Sequence, residues 1–319
     1  MALEGGAPES VSILEVSPRD GLQNEHVVVP TAGKKRLIEA LRAAGLARIE
    51  VTSFVSPKWV PQLADALDLC AALRGEDGAY PVGARYSALC PNATGLERAL
   101  AAGLPEIAVF MSASETHNRK NINKTIDATL EVFREIVPPA RQAGLRVRAY
   151  VSTVWGCPYE GPVDVGVVAR IASALVELGC YEVSLGDTIG VGTPNQTREV
   201  VTRLGREIGL ERIALHFHDT RGTALANALV GLQLGVSKLD ASVGGVGGCP
   251  YAPGAAGNLA TEDLVYMLDG MGIATGINLR ALVKATLRIE QVLGRPVPSK
   301  VVAAMRADVM AEMQAEVSA

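Results

Sequence analysis

Two hydrophobic rhythms alternate along the whole chain. Short β-branched or apolar runs of strand length are followed by longer runs in which apolar residues recur every three or four positions, with Gly, Pro or Asn between them. The pattern predicts strands at VSILEV (11–16), RIEVTSF (48–54), YPVGARYSAL (80–89), EIAVF (106–110), RVRAYVST (146–153), YEVSLG (181–186), RIALHFH (212–218) and SKLDASV (237–243). It predicts helices near 31–44, 61–74, 92–103, 121–143, 164–178, 194–208, 221–235 and 260–270. Thr31 stands before the first helix, Pro61 and Pro194 mark helix starts, and Gly45, Gly103, Gly144, Gly179, Gly209 and Gly235 follow helix ends. Eight strand–helix units between residues 11 and 270, about 32 residues each, point to an α/β fold of the (β/α)8 TIM-barrel type. An open doubly wound sheet of about six units is the competing arrangement. Extra C-terminal helices are expected at 277–293 and 299–316, with Pro296 and Pro298 between them. No linker, low-complexity tract or charge block divides residues 1–319, so a single domain is expected: a barrel over about 11–270 and a helical extension over about 277–316.

Composition narrows the partners. With 48% hydrophobic and 20% charged residues, the 319-residue chain has ample material for a buried core and is too apolar to be disordered. Lys plus Arg (30) against Asp plus Glu (34) gives a net charge of -4. With no basic run, neither nucleic acid nor a membrane surface is expected as a partner. The longest uncharged stretch, Ala241 to Thr261, is too rich in Gly and Pro to span a bilayer as a helix. Five cysteines without a CxxC pair indicate neither a disulfide framework nor a thiolate zinc site. The opening MALEGGAPESVS lacks the charged start and apolar run of a signal peptide, and a reducing cytoplasmic location is expected.

In a barrel, chemistry sits at the carboxyl ends of the strands, and the unusual side chains of this sequence gather there. Arg19-Asp20 follow strand one, Glu50 lies near the end of strand two, and Arg148 and Tyr150 lie on strand five. Asp187 follows strand six, His216 and His218 end strand seven, and Cys249 and Asn258 lie in the loop after strand eight. Residues two apart on a strand share a face, so His216 and His218 enter the mouth together, as ligands for one metal or as hydrogen-bonded core histidines. Asp20 and Asn258 are available from neighbouring loops, because strands one and eight adjoin in a closed barrel. Two imidazoles, a carboxylate and an amide would suit Mg²⁺ or Mn²⁺ with open water positions. Asp20 is equally read as capping its own RDG loop, and Asn258 as a helix cap before LATEDL.

The segment from Gly244 to Gly257 matches neither GxGxxG nor GxxxxGK[ST]. Its glycines allow it to fold over a substrate, and Cys249 within it could serve as a proton donor, although a free Cys is often an inert core residue. GCPY occurs twice, at 156–159 and 248–251, so Cys157 and Cys249 compete for that role, with the more flexible setting favouring Cys249.

Over about residues 11–295 the chain resembles the 3-hydroxy-3-methylglutaryl-CoA lyases, within the superfamily of metal-dependent lyases and Claisen-condensing barrels. The resemblance rests on SPRDGLQNE (17–25), IEVTSFVSPKWVPQLAD (49–65), NINKTI (121–126), GCPYEG (156–161), EVSLGDTIGVGTP (182–194), HFHDT (216–220) with ALAN (224–227), and GGCPYAPGAAGNLATEDLVYML (247–268). RDG and HxH alone would indicate the superfamily; SFVSPKW and the GCPYAPGA loop are specific to the lyases. The resemblance implies that Asp20, His216, His218 and Asn258 ligate a divalent cation and that Arg19 stabilises the enolate oxygen of departing acetyl-CoA. It also implies that Cys249 is the catalytic cysteine and that Glu50, Asp187, Arg148 and Tyr150 are active-site residues. The implied activity is carbon–carbon cleavage of an acyl-CoA thioester, 3-hydroxy-3-methylglutaryl-CoA, to acetyl-CoA and acetoacetate in leucine and ketone-body catabolism, by a homodimer.

Three positions depart from the commonly described family sequences: Arg221 stands in place of Tyr, and Thr153 and Lys124 in place of Cys. Arg221 is read as a solvated first-turn residue, with pairing of a substrate carboxylate as the alternative. Rival functions are a lyase for citramalyl-CoA, a Claisen-type acyltransferase and a catalytically silent metabolite-binding protein. The intact ligand set and GCPYAPGA loop speak against the last two.

Overall fold

The computed structural model describes residues 6–247 and 257–318. Eight parallel strands close into a barrel in chain order: β1 (Ser12–Glu15), β2 (Arg48–Ser53), β3 (Arg85–Leu89), β4 (Glu106–Ser112), β5 (Arg146–Ser152), β6 (Glu182–Asp187), β7 (Ile213–Phe217) and β8 (Lys238–Ala241). Closure is made by β8 against β1, from Ser12 beside Lys238 to Glu15 beside Ala241. The outer layer holds α1 (Thr31–Ala43), α2 (Ala66–Ala72), α3 (Ala93–Ala101), α4 (Glu115–Ile122), α5 (Ile126–Gln142), α6 (Val165–Leu178), α7 (Pro194–Ile208), α8 (Ala224–Gln233) and α9 (Thr261–Gly270). After them, α10 (Leu279–Leu293) packs on α1 and α9, and α11 (Lys300–Ser318) packs on α10 and α9. One apolar core runs from Val11 to Val309, so the two C-terminal helices share it. Among the described residues, no helix is long and apolar enough to cross a membrane.

The closed barrel replaces the open-sheet alternative, and the elements differ from the sequence pattern in a few places. Residues 80–84 are not strand: Tyr80 stands edge-on to Tyr86 and donates to the Ala102 carbonyl, Gly83 has φ +100°, and pairing starts at Arg85. The expected helix 121–143 is two helices. Asn123, at φ 56°, terminates α4, and the Thr125 side chain accepts from Ala128 to start α5. The 61–74 segment opens with a 3₁₀ turn at Pro61–Leu63 before α2. Thr31 lies inside the first turn of α1 rather than before it, with its hydroxyl donating to Asp65.

Strand alternation divides apolar from ionic positions. Val147, Ala149 and Val151 of β5, Val183 and Leu185 of β6, and Leu239 and Ala241 of β8 join the main apolar core. The intervening residues face one another across the lumen, where branched aliphatics are usual. Here the contents are charged. Arg48 pairs with Glu182, Glu182 with Arg148 (2.6 Å), and Arg148 with Asp240 (2.6 Å). Arg148 is only 1% exposed, and an unpaired charge at that depth would cost several kcal/mol, roughly.

Two further buried carboxylates hold the end of β8. Glu15 accepts from the backbone of Ser17 and Val243 and from the Thr261 hydroxyl. Glu262 accepts from Gly244 and bonds Thr286, whose hydroxyl also donates to Leu282. Burial pushes Glu262 from the ordinary 4.5 up to about 8. The folded protein therefore keeps this proton after the unfolded chain has lost it, and stability falls as pH rises from about 4.5 towards 8. A glutamine can make the same bonds without titrating. Glu262→Gln should thus melt at least about 2 °C above the parent at pH 9, with the gain shrinking towards pH 5. Parallel melting curves across that range would show an ordinary carboxylate.

Candidate active site

The site is built where β1, β7 and the return of the chain after β8 meet. Past β1, Ser17–Gly21 forms a single π-turn in which the backbone amides of Asp20 (2.7 Å) and Gly21 (3.2 Å) both reach the Val16 carbonyl. This turn presents Arg19 and Asp20 together. Arg19 Nη1 donates to Asp20 Oδ1 at 2.5 Å, and Arg19 Nε donates to Glu50 Oε2. Tyr150 lies beneath: its hydroxyl donates to Glu50 Oε2 at 3.2 Å, and its ring centre is 5.1 Å from the Arg19 guanidinium and 4.5 Å from that of Arg148. Arg19 is thereby held by charge on two sides and by an aromatic ring.

At the end of β7, the rings of His216 and His218 lie 5.4 Å apart, as the two-residue period requires. His216 Nε2 is 3.9 Å from Asp20 Oδ2. Asp20, His216 and His218 each offer a donor atom, and these atoms all lie within 4.8 Å of one another. Asn258 joins them because residues 257–260 return alongside β7: Leu259 donates to the Phe217 carbonyl at 3.0 Å, Asp219 donates to that of Gly257 at 2.6 Å, and His218 pairs with Asn258. The Asn258 amide donates to Asp20 Oδ2 (2.9 Å) and to Val246 (3.1 Å). Gly247, at φ +106°, is required there, since a Cβ would stand 2.6 Å from Asn258 Nδ2.

Two atoms able to act as acceptors in this cluster, His218 Nδ1 and Asn258 Oδ1, are buried without a hydrogen-bond partner. Orphaned acceptors beside a carboxylate and a second imidazole are what a divalent-cation site needs. The charge states agree. Burial and the neighbouring His216 hold His218 down at about 4, so it is a neutral imidazole at pH 7. Burial alone would raise the Asp20 carboxyl, but Arg19, both imidazoles and the Asn258 amide outweigh it and hold it below the ordinary value. The residues therefore fit a metal ion.

The other expected site residues fall in different places. Burial pushes the Glu50 carboxyl up despite Arg19, and its Oε1 has no hydrogen-bond partner. Asp187 closes its own loop, its oxygens accepting from the backbone of Val191 (3.0 Å) and Gly192 (2.8 Å). Arg148 lies a layer below the mouth, between Glu182 and Asp240. Arg221 is exposed, as expected, and its guanidinium also donates to the carbonyls of Ile189 (2.6 Å) and Gly190 (3.2 Å), which ties two mouth loops together. Thr153 is buried, 2.6 Å from the Ser112 hydroxyl, whereas Lys124 is exposed. Cys249 lies outside the described residues. Its rival Cys157 is a buried thiol that accepts from Ser114 at 2.9 Å and from the Tyr159 amide at 3.3 Å. The sequence reading missed Asp240, Ser184 and Gln23. Gln23 donates to Asp20 Oδ1 at 2.9 Å, and Asp240 lies 3.3 Å from His216. Polar residues at every second position of SKLDASV were the available signal for Asp240.

Fold and site together define a class: a closed (β/α)8 barrel carrying a carboxylate–imidazole cluster able to hold a cation at the carboxyl ends of its strands. The model of the HMGL-like family matches residues 10–289, and the chain belongs to that family. It is 52% identical over 297 residues to the mitochondrial hydroxymethylglutaryl-CoA lyase of Bos taurus, covering 93% of this chain and 90% of that one. The crystal structure of the Bacillus subtilis HMG-CoA lyase superposes with a TM-score of 0.91 at 50% identity, covering 95% of this chain and all (100%) of that one. A structure of an HMG-CoA lyase from Acinetobacter baumannii, in complex with coenzyme A and 3-methylmalate, superposes with a TM-score of 0.87 at 38% identity, over 93% and 95% of the two chains.

Removing one donor should be legible in binding alone. His218→Ala is expected to weaken Mn²⁺ binding by more than about 100-fold, beyond the loss usual for an outer partner, in calorimetric titration of the folded variant. Unchanged affinity would remove His218 from the ligand set.

Proposed function

We propose that this protein, acting as a single catalytic domain, cleaves 3-hydroxy-3-methylglutaryl-CoA to acetyl-CoA and acetoacetate with the help of Mg²⁺ or Mn²⁺. The observation that carries the reading is the convergence of Asp20, His216 and His218, with the free Asn258 Oδ1, beside a fixed Arg19. Membership of the HMGL-like family and about 50% identity to HMG-CoA lyases over most of the chain support the same reaction. The coenzyme A complex of the Acinetobacter relative supports an acyl-CoA thioester as substrate class.

Asp20, His216, His218 and Asn258 would hold the cation. When bound, a divalent ion lowers the pKa of a neighbouring hydroxyl and orders adjacent oxygens. The remaining chemistry belongs to side chains. The substrate's tertiary hydroxyl gives its proton to a base, its oxygen becomes the ketone of acetoacetate, and the electron pair of the broken C–C bond passes into the enolate of acetyl-CoA. Glu50, with an unpartnered oxygen and a carboxyl raised by burial, is better placed as that base than Asp187, whose oxygens serve the backbone. Arg19 offers its positive fork to the enolate oxygen, and its fixation by Glu50, Asp20 and Tyr150 means that little reorganisation is needed as charge develops. The Cys249 thiol then delivers a proton to the enolate carbon; the engagement of Cys157 by Ser114 favours Cys249 for this step. Cys70, Cys90, Cys157 and Cys180 are free and buried, in keeping with a reducing, cytoplasmic setting.

Turnover of 3-hydroxy-3-methylglutaryl-CoA and citramalyl-CoA, with metal and with chelator, tests the reading. Acetoacetate release should dominate and stop with chelator; pyruvate release well above it would reassign the substrate. Arg19→Gln should lower kcat by about 10²–10³, as for loss of an oxyanion donor. Cys249→Ser should lower turnover by about two to four orders of magnitude while Mn²⁺ binding survives. Near-normal turnover of the serine variant would take the thiol out of the reaction.

A further inference from the structure

Resting on the cation site just proposed, we infer that Asp240 is a positioning residue that presets His216 as a ligand, with Arg148 and Ser184 acting through it. Asp240 is 2% exposed on β8, across the lumen from β5 and next to β7. Its Oδ2 lies 3.3 Å from His216 Nδ1 and accepts from the Ser184 hydroxyl at 2.7 Å. Its Oδ1 accepts from Arg148 Nη2 at 2.6 Å, and Arg148 is itself held by Glu182 at 2.6 Å. Both oxygens are committed, so Asp240 neither swings nor reaches a bound cation.

A carboxylate oxygen facing Nδ1 requires a hydrogen there, and a neutral imidazole carries one. The proton is thus confined to Nδ1, and the lone pair of Nε2 is directed to the Asp20 side, where Nε2 stands 3.9 Å from Oδ2. His218 has no such support, its Nδ1 being buried without a partner. The two imidazoles therefore differ: His216 is fixed in ring orientation and tautomer, whereas His218 is free to choose.

Asp240→Asn gives a signed outcome. Arg148 pins the remaining carbonyl oxygen, which turns the new N–H₂ group towards Ser184 and His216 Nδ1. A donor then faces Nδ1, and the favoured tautomer inverts. Nitrogen-15 NMR of the metal-free protein at pH 8 should show His216 protonated at Nδ1 in the parent and at Nε2 in Asp240→Asn. Mn²⁺ affinity should fall by about 10- to 100-fold, and Ser184→Ala, which leaves the carboxylate in place, should lose less. If Asp240→Asn does not fold, the parent spectrum and Ser184→Ala still decide: an Nε2-protonated His216 in the parent overturns the inference. So does an Asp240→Asn protein with the parent's tautomer and affinity. His218→Ala separates the two levels. Loss of Mn²⁺ binding there, with none in Asp240→Asn, rejects only the role of Asp240; retention in His218→Ala rejects the cation site itself.

Discussion

The need to pair every charge enclosed in the barrel governs this structure. The lumen holds Arg48, Glu182, Arg148 and Asp240 in sequence, from β2 through β6 and β5 to β8, and each is bonded to the next. Desolvated ions are tolerated only when geometry and hydrogen bonds satisfy them, and removing one partner strands the other. The strands that supply these residues are consequently fixed in register with one another as well as by their backbone ladders. A core of branched aliphatics could fill the same volume, but it could not orient an imidazole. In this chain the stabilising network and the site are continuous, because its last member, Asp240, adjoins His216.

At the mouth the same logic operates with fewer closed bonds. Arg19 is held by Glu50, Asp20 and the face of Tyr150, and Asp20 receives Arg19, Gln23 and Asn258. The groups left without a hydrogen-bond partner include those where a cation would sit, an imidazole nitrogen of His218 and the amide oxygen of Asn258, together with Glu50 Oε1. Rigidity below and unspent donor capacity above distinguish a preorganised site from a merely polar patch. Two mouth loops are tied down separately. Asp187 closes the turn after β6, and Arg221 secures that turn to the one after β7. The substitution of Arg for the usual Tyr at 221 thus has a structural consequence in loop anchoring.

The strand-by-strand pattern made the barrel legible, because outward residues follow a period of two and helices a period near 3.6. Errors fell where local chemistry overrides period: Gly83 and the Tyr80 contacts before β3, and the Asn123–Thr125 break that starts a new helix. The HFH pair could be placed on one face from spacing alone. Arg148 is legible as a polar residue of strand five, but its strand position does not disclose which layer its partners occupy. The alternation of SKLDASV indicates which face Asp240 occupies but not what lies across the lumen from it.

The amino-acid sequence by itself determined the repeating strand–helix order, the inward face of each strand and the residue types able to hold a cation, because these depend on interactions between near neighbours in the chain. Only the tertiary structure decided that Asp20 and Asn258, 238 positions apart, share a hydrogen bond and that Asp240 stands behind His216. Those outcomes depend on closure of β8 onto β1 and on the lateral register around the ring. Both are set by contacts between residues far apart in sequence, whose distances no local pattern encodes.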